Sequence, residues 1–356
     1  MKKIDICLSP DNNYVIPCSV AIQSLCINTC DFCKVNIHIL DGGLTSENKR
    51  MLEQIVCLHK SATIRFVKVN DQKFKEFYTS NWGTAATYRF QIGDLLYDLD
   101  RVLYIDCDVI VCKSVEDLFF SDLGDNIIGM VPDIWHKKQK QRFPEKKQPY
   151  FNTGVCLFDL KKWRELDVAN MLIDFYRKNK DVCWFPDQDP INSVLDGNIL
   201  QLDYRFNFCY HWDKNEYFET FGDRDVKDAV IVHYIFNKPW WSSCIHPYAK
   251  LYFDYLNTIP VSIRKRAKFF VKQKIDTATI YVFGIPILRM SNYFTIKEYK
   301  FLGCIPLLSI QISRGEANFL LFNIIPIFRI KSANGMMLKD KVVVMNNIRY
   351  SDEYRI

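Results

Sequence analysis

VLYIDCDVIV, residues 102–111, is the stretch on which the fold turns. An apolar, β-branched run ends at Asp106, and a second one begins directly after Asp108. Side chains two apart on an extended segment point to the same side, so both carboxylates leave the backbone together. Paired carboxylates at the mouth of a buried strand are costly unless something positive lies between them. An oxygen-preferring divalent cation such as Mn²⁺ or Mg²⁺ meets that need. The competing reading is a surface turn with two solvated aspartates, because Asp-x-Asp is short and common.

Around this run, segments rich in Ile, Val and Leu alternate with helical patterns as far as Pro260. Residues 4–8, 35–40, 63–69, 102–105, 127–131, 153–159 and 229–233 read as strands. Residues 14–28, 46–58, 85–97, 161–179, 187–195 and 245–257 read as helices. Such alternation predicts an α/β domain with a mostly parallel sheet, whose ligands gather beyond the carboxyl ends of the strands. Two polar clusters fall there: Ser9-Pro10-Asp11-Asn12-Asn13-Tyr14 after the first strand, and Asp106-Cys107-Asp108 after the fourth. No G-x-G-x-x-G and no G-x-x-x-x-G-K-[ST] occurs, which removes the dinucleotide fingerprint and the P-loop. A pyrophosphate would then need a metal and a cationic side chain. His233-Tyr-Ile-Phe-Asn-Lys238-Pro239-Trp240 offers both, with His233 closing a predicted strand and Lys238 held by the proline after it.

Seven collinear motifs over residues 3–258 carry a resemblance. They are the first strand with SPDNNY, Tyr88-Arg89-Phe90, VLYIDCDVIV, YFNTGVCLFDLKKW, PDQDPIN, RFNF and HYIFNKPW. In that order they resemble family 8 glycosyltransferases, the retaining group of GT-A fold that includes bacterial lipopolysaccharide glucosyl- and galactosyltransferases and glycogenin. The resemblance implies manganese ligands at Asp106, Asp108 and His233, with Mg²⁺ the alternative ion. It implies uracil and ribose contacts at Ser9, Asp11 and Asn13, and donor contacts at Arg89, Asp106 and Gly154. Lys238 falls to the diphosphate, and Asn152, Asp187 and Gln188 to the sugar pocket, with Gln188 nearest the anomeric carbon. One departure stands out. The family reads H-x-x-G-x-x-K-P-W, whereas here Phe236 replaces the glycine and the loop to Lys238 is one residue shorter.

Each site residue also has a purely structural reading. Asp11 could cap the helix that follows, and Arg89 could pair with Asp94 on a helix face. Asn152-Thr153-Gly154 could be a turn, and Asp187 could serve the dipole of the helix it opens. Trp240 and Trp241 could lie in a core as readily as beside a sugar.

Composition narrows the class. With 49% hydrophobic and 25% charged residues the chain reads as globular rather than disordered, and its longest apolar run, 319–328, is broken by Asn323 and Pro326. Thirteen cysteines form no disulfide ladder; Cys26, Cys30 and Cys33 lack a fourth zinc ligand, so buried thiols in a reducing cytosol are expected. The N-terminus carries no signal-peptide core. Residues 261–356 hold 16 Lys+Arg against 6 Asp+Glu, a net +10, leaving 31 against 35 before them, a net −4. These shifts predict a catalytic domain over 1–260, a basic amphipathic segment over 261–280 and a repeat tail over 281–356. In the basic segment Ile263, Ala267, Phe270 and Val271 share a face among cations, suited to an anionic membrane surface or to packing on the catalytic domain. In the tail FGIPIL, GCIPLL and NIIPIF set Pro286, Pro306 and Pro326 twenty residues apart, which predicts short β-hairpins in series.

The sequence thus predicts a retaining hexosyltransferase using a UDP-sugar and Mn²⁺. Its expected acceptor is a glycan, a lipid-linked saccharide such as lipopolysaccharide core, met at the inner face of the cytoplasmic membrane, and nucleic acid is not expected as a partner. Transfer to a protein or another polysaccharide is one alternative. A catalytically silent docking protein of the same fold is the other.

Overall fold

The computed structural model describes residues 2–29, 33–77, 83–210, 225–235, 237–241, 244, 246–273, 277–282, 285–292, 296–301, 305–313, 316–321 and 325–331. They divide into two units, one of Met1–Phe236 with Lys250–Arg264 and one of Asn237–Ala249 with Lys265–Ile356.

The first unit is built on a seven-stranded sheet in the order β3-β2-β1-β4-β7-β6-β8. Its strands are β1 (Lys2–Leu8), β2 (Cys33–Asp41), β3 (Ala62–Lys68), β4 (Arg101–Ile105), β6 (Ile128–Pro132), β7 (Phe151–Asp159) and β8 (Ile199–Gln201). The strands β1, β2, β3 and β4 run parallel, as do β6 and β8, and only β7 opposes its two neighbours. The predicted mostly parallel sheet is therefore present. The central strands β4 and β7 are buried along nearly their whole length, the pattern of strands covered on both faces.

Helices cover that sheet: α1 (Val15–Asn28), α2 (Ser46–Val56), α3 (Ile92–Leu95), α4 (Glu116–Phe119), α5 (His136–Arg142), α6 (Leu160–Glu165), α7 (Val168–Lys178) and α8 (Gln188–Val194). Helix α1 is apolar almost all round and buried from Val15 to Leu25, as expected of a helix enclosed on several sides. A core under α6, α7 and α8 joins Phe77, Phe90, Phe158, Trp163, Leu172 and Tyr176. Trp163 Nε1 donates to Phe90 O at 3.1 Å, which satisfies the one polar atom of that buried indole.

A second, three-stranded sheet has the order β5-β10-β9, formed by β5 (Val109–Val111), β9 (Phe208–Cys209) and β10 (Ile231–His233). It matters for function because β4 ends in the large sheet at Ile105, and β5 starts in the small one at Val109. Asp106-Cys107-Asp108 is the link between them.

Three readings of the sequence change in detail. The helix expected over 85–97 is a 3-10 helix, Thr84–Gln91, followed by the single turn α3. The helix expected over 161–179 is broken at Asp167, whose φ of 52° is left-handed, and so becomes α6 and α7. The helix expected over 245–257 is α9 (Ala249–Leu256) and starts later.

The basic segment forms α10 (Val261–Gln273), with Ile263 and Ala267 both buried. Beyond it β11 (Thr277–Val282), β12 (Ile285–Asn292), β13 (Ile296–Phe301), β14 (Ile305–Ser313), β15 (Glu316–Leu321) and β16 (Ile325–Lys331) make one six-stranded antiparallel meander. Pro286, Pro306 and Pro326 each pair across a register shift in the partner strand, opposite Tyr281, Lys300 and Leu320. Proline lacks the N–H a regular ladder requires and is tolerated at such irregularities, so the period of twenty is the period of the bulges. No helix among the described residues is long and apolar enough to cross a membrane.

Candidate active site

Where the two sheets meet, three ligand-type atoms converge. Antiparallel pairing of β10 with β5 sets His233 opposite Val109, and Tyr234 N donates to Asp108 O at 3.0 Å. On the other side Asp106 N donates to Gly154 O at 2.8 Å, tying the acidic link to β7. His233 Nε2 then lies 3.2 Å from Asp108 Oδ1 and 3.8 Å from Asp106 Oδ2. One ligand atom from each of Asp106, Asp108 and His233 fits within 4.8 Å of the others. Two carboxylates and one imidazole nitrogen, two of the three residues buried, form a donor set that a divalent cation satisfies and that proteins seldom leave uncompensated. The alternative of a solvated surface turn does not describe these side chains.

The imidazole is oriented from behind. His233 Nδ1 lies 2.9 Å from Asn207 Oδ1, and Asn207 Nδ2 donates to Asn152 Oδ1 at 2.8 Å. Asn152 Oδ1 also accepts Gly154 N at 2.9 Å, while Asn152 Nδ2 donates to Asp133 Oδ2 at 3.1 Å. Gly154 sits under the imidazole: a Cβ there would fall 2.6 Å from His233 Nδ1 and closer still to Cε1.

Arg89 stands beside the acids and is 1% exposed. Its Nη2 donates to Asp106 Oδ1 at 2.8 Å and to Tyr104 Oη at 3.0 Å. Its Nη1 donates to Thr153 O and lies 3.4 Å from Asp187 Oδ2; Nε donates to Ala86 O at 2.7 Å. The surface pairing with Asp94 is thus replaced by a buried bridge between Asp106 and Asp187. Burial opposes the charge of Arg89, but Asp106 and Asp187 outweigh it and hold its pKa well above the ordinary value.

Asp187 precedes α8 without capping it through its side chain. It accepts Thr153 Oγ1 at 2.9 Å, and burial raises its pKa against the pull of Arg89. Gln188 Oε1 accepts Thr153 N at 3.2 Å, and its Nε2 donates to Asp133 Oδ2 at 3.3 Å. Asp189, fully buried, anchors this turn: it pairs with Arg142 at 2.7 Å and accepts Trp184 N at 2.7 Å and Phe185 N at 3.0 Å. The Arg142 guanidinium lies 4.0 Å from the Trp184 ring centre.

The remaining expected residues lie as follows. Ser9 Oγ donates to Ala85 O at 2.6 Å. Asp11 Oδ1 accepts Asn13 N at 2.8 Å and Tyr14 N at 2.9 Å, so it closes the turn leading into α1, whose N-cap Tyr14 makes no side-chain capping bond. Asn13 is exposed, and Asn12 is turned away, bonded to Thr45 N and Asn48 Nδ2. Burial raises the Tyr14 pKa, with Asp108 the next cause and Asp106 a smaller one, which puts its hydroxyl in the field of the acids. Lys238 belongs to the second unit, where it is buried, its carbonyl accepts Trp241 N at 3.0 Å and its charge acts on His246. Phe236, on which the shortened loop turns, lies outside the described residues.

Sequence reasoning missed Asp133 and Asn207. Asn207 lies in the quoted RFNF, whereas Asp133 follows β6 in a segment with no marker of its own. Burial raises the Asp133 pKa, countered by N–H donors from Trp135, Asn152 and Gln188.

Comparison with known proteins agrees with this arrangement. General stress protein A of Bacillus subtilis is 28% identical over 265 residues, covering 69% of this chain and 91% of that protein. The lipopolysaccharide 1,2-glucosyltransferase of Escherichia coli K12 is 27% identical over 264 residues, covering 70% and 76%. Among solved structures, the galactosyltransferase LgtC in complex with donor and acceptor sugar analogues superposes with a TM-score of 0.65. It is 29% identical over 74% of this chain and all of that one. The family model described as Glycosyl transferase family 8 matches residues 5–244, spanning both sheets and all three converging ligands, and the chain therefore belongs to that family.

Proposed function

We propose that this chain is a retaining hexosyltransferase that moves glucose or galactose from a UDP-sugar to a glycan acceptor. The observation that carries the reading is the convergence of Asp106, Asp108 and His233 within 4.8 Å, beside the Arg89 bridge to Asp187. Hard oxygen donors with one imidazole suit Mn²⁺, with Mg²⁺ the alternative. When bound there, such an ion supplies Lewis-acid stabilisation of the charge on a departing diphosphate.

The chain's own residues do the rest. Ser9, Asp11 and Asn13 hold the nucleoside, and Asn152 and Gly154 border the sugar. Arg89 bridges the carboxylates of Asp106 and Asp187 and holds both in place. Asp187 and Gln188 face the anomeric carbon and stabilise the cationic character that develops as the donor bond breaks. Gln188 is a poor nucleophile, since an amide oxygen is barely basic and this one already accepts Thr153 N–H. Front-face attack, in which the leaving phosphate takes the acceptor's proton, accounts for retention without it.

The lipopolysaccharide-directed relatives support a lipid-linked saccharide acceptor such as lipopolysaccharide core. Trp184, 64% exposed and four residues before Gln188, offers an apolar ring for a sugar face. Because Ile263 and Ala267 are buried, attraction of the 261–280 segment to an anionic membrane would act through its basic residues and hold the enzyme at the inner face of the cytoplasmic membrane.

The deciding experiment is UDP release from a panel of UDP-sugars with and without Mn²⁺. Metal-dependent release from UDP-glucose or UDP-galactose is expected, and its absence from every donor with folded protein rejects the reading. An inverted product linkage, read from NMR anomeric couplings, would reject retention alone. Failure to co-sediment with anionic vesicles at low salt would reject the membrane arm.

A further inference from the structure

We infer that Asp133, acting through Asn152 and Asn207, fixes the tautomer of His233, so that Nδ1 carries the proton and Nε2 presents its lone pair to Asp106 and Asp108. The inference rests on the metal-site reading above and deepens it. Amide and imidazole orientations are ordinarily ambiguous, because carboxamide oxygen and nitrogen look alike and either ring nitrogen can hold the proton. Here both ends of the chain of contacts remove the ambiguity.

Asp133 is ringed by donors. Trp135 N reaches Oδ1 at 2.9 Å, while Asn152 Nδ2 and Gln188 Nε2 reach Oδ2 at 3.1 and 3.3 Å. A carboxylate can only accept, so Asn152 must turn its NH₂ toward Asp133. Gly154 N, which can only donate, meets the other end of the same carboxamide at 2.9 Å and demands oxygen there. Two independent partners thus orient Asn152. Its oxygen then faces Asn207 at 2.8 Å and requires the Asn207 NH₂, which leaves the Asn207 oxygen 2.9 Å from His233 Nδ1. An oxygen at that distance calls for a proton on Nδ1. The neutral ring then has its lone pair on Nε2, the nitrogen 3.2 Å from Asp108 and 3.8 Å from Asp106.

The four side chains come from four places: the end of β6, β7, the turn before β9 and the end of β10. All of Asp133, Asn152, Asn207 and His233 are buried, which shields the chain of bonds from competition by water. Partners of this kind behind a ligating histidine commonly change metal affinity by 10–100-fold. Asp133 and Asn207 are therefore positioning residues. Asp133 also receives Gln188, so one carboxylate orients both the imidazole and the amide assigned to the sugar.

The test uses the full-length protein labelled with ¹⁵N-histidine. Imidazole nitrogen shifts are recorded metal-free in alkaline buffer, and Mn²⁺ affinity is measured separately by calorimetry. Wild type is expected to show His233 protonated on Nδ1. Asn207→Asp, which still accepts that proton, should keep the tautomer. Asn207→Leu and Asp133→Asn should give a mixed or Nε2-protonated ring and weaken Mn²⁺ binding about tenfold or more. Asp133→Asn preserves size, and its far-ultraviolet circular dichroism and melting curve show whether it folds. An unchanged tautomer and affinity in both Asn207→Leu and Asp133→Asn would overturn the inference. Failure of wild type itself to bind Mn²⁺ would instead reject the metal reading, which separates the two outcomes.

Discussion

At Gly154 the missing side chain is what matters. Any Cβ there overlaps the imidazole of His233, so Gly154→Ala must displace a ligand from its place between two acids. Mn²⁺ affinity measured by calorimetry is expected to fall at least tenfold. Arg89→Lys should keep a positive charge yet lose the fork that reaches Asp106 and Asp187 together. Turnover should fall on the order of 10²–10³, the effect of removing one preorganised electrostatic contact, and a rate within a factor of three of wild type would contradict the bridge. Asp106, Asp108 and His233 were legible in the sequence because strand periodicity and strand ends give their direction. Asp133 and Asn207 were not. Their meaning arises only when β6, β7 and the turn before β9 are brought side by side, and nothing local in VPDIW announces a buried acceptor.

The elements repeat the lesson at a larger spacing. Apolar periodicity located every strand of the large sheet except the three-residue β8, and it located the helices other than the short α4 and α5, but it could not see where helices stop. Residues 161–179 look continuous, and the break comes from the left-handed backbone of Asp167, whose carboxylate accepts Asn170 Nδ2 at 2.9 Å. Asp167→Ala keeps the strained geometry but loses that local hydrogen bond, and should cost about 1–2 kcal/mol in denaturant unfolding. Asp167→Gly should be tolerated far better. Over 85–97 the tight 3-10 winding replaces an α-helix, and it carries Arg89 to the interior instead of to a helix face. In the small sheet, β10 falls within the run read over 229–233, whereas β9, two residues long, is too short to leave a periodic signature.

For the molecule as a whole, the division of charge between the two parts of the chain was visible in composition, whereas the assignment of Asn237–Ala249 to the second unit was not. That segment contains a built-in acid sensitivity. His246 is pushed down to about 3, chiefly by burial and secondly by Lys238. A histidine whose folded pKa lies below its unfolded value of about 6.5 favours the folded state only while neutral. Its contribution is complete above about pH 6.5 and is lost progressively as the pH falls toward 3. His246→Gln should therefore flatten the acid limb of the melting-temperature profile over that range. A parallel limb in the variant would show that other groups set it.

The link 106–108 leaves one sheet and enters the other, and His233 ends the neighbouring strand of the second, opposite Val109. An ion shared by these residues would act as a clasp across a seam in the backbone hydrogen-bonding. Loading it should slow amide exchange in β9 and β10, and chelation should quicken exchange there first, before the large sheet responds. Occupancy of the site would then be readable from the backbone without any sugar being turned over.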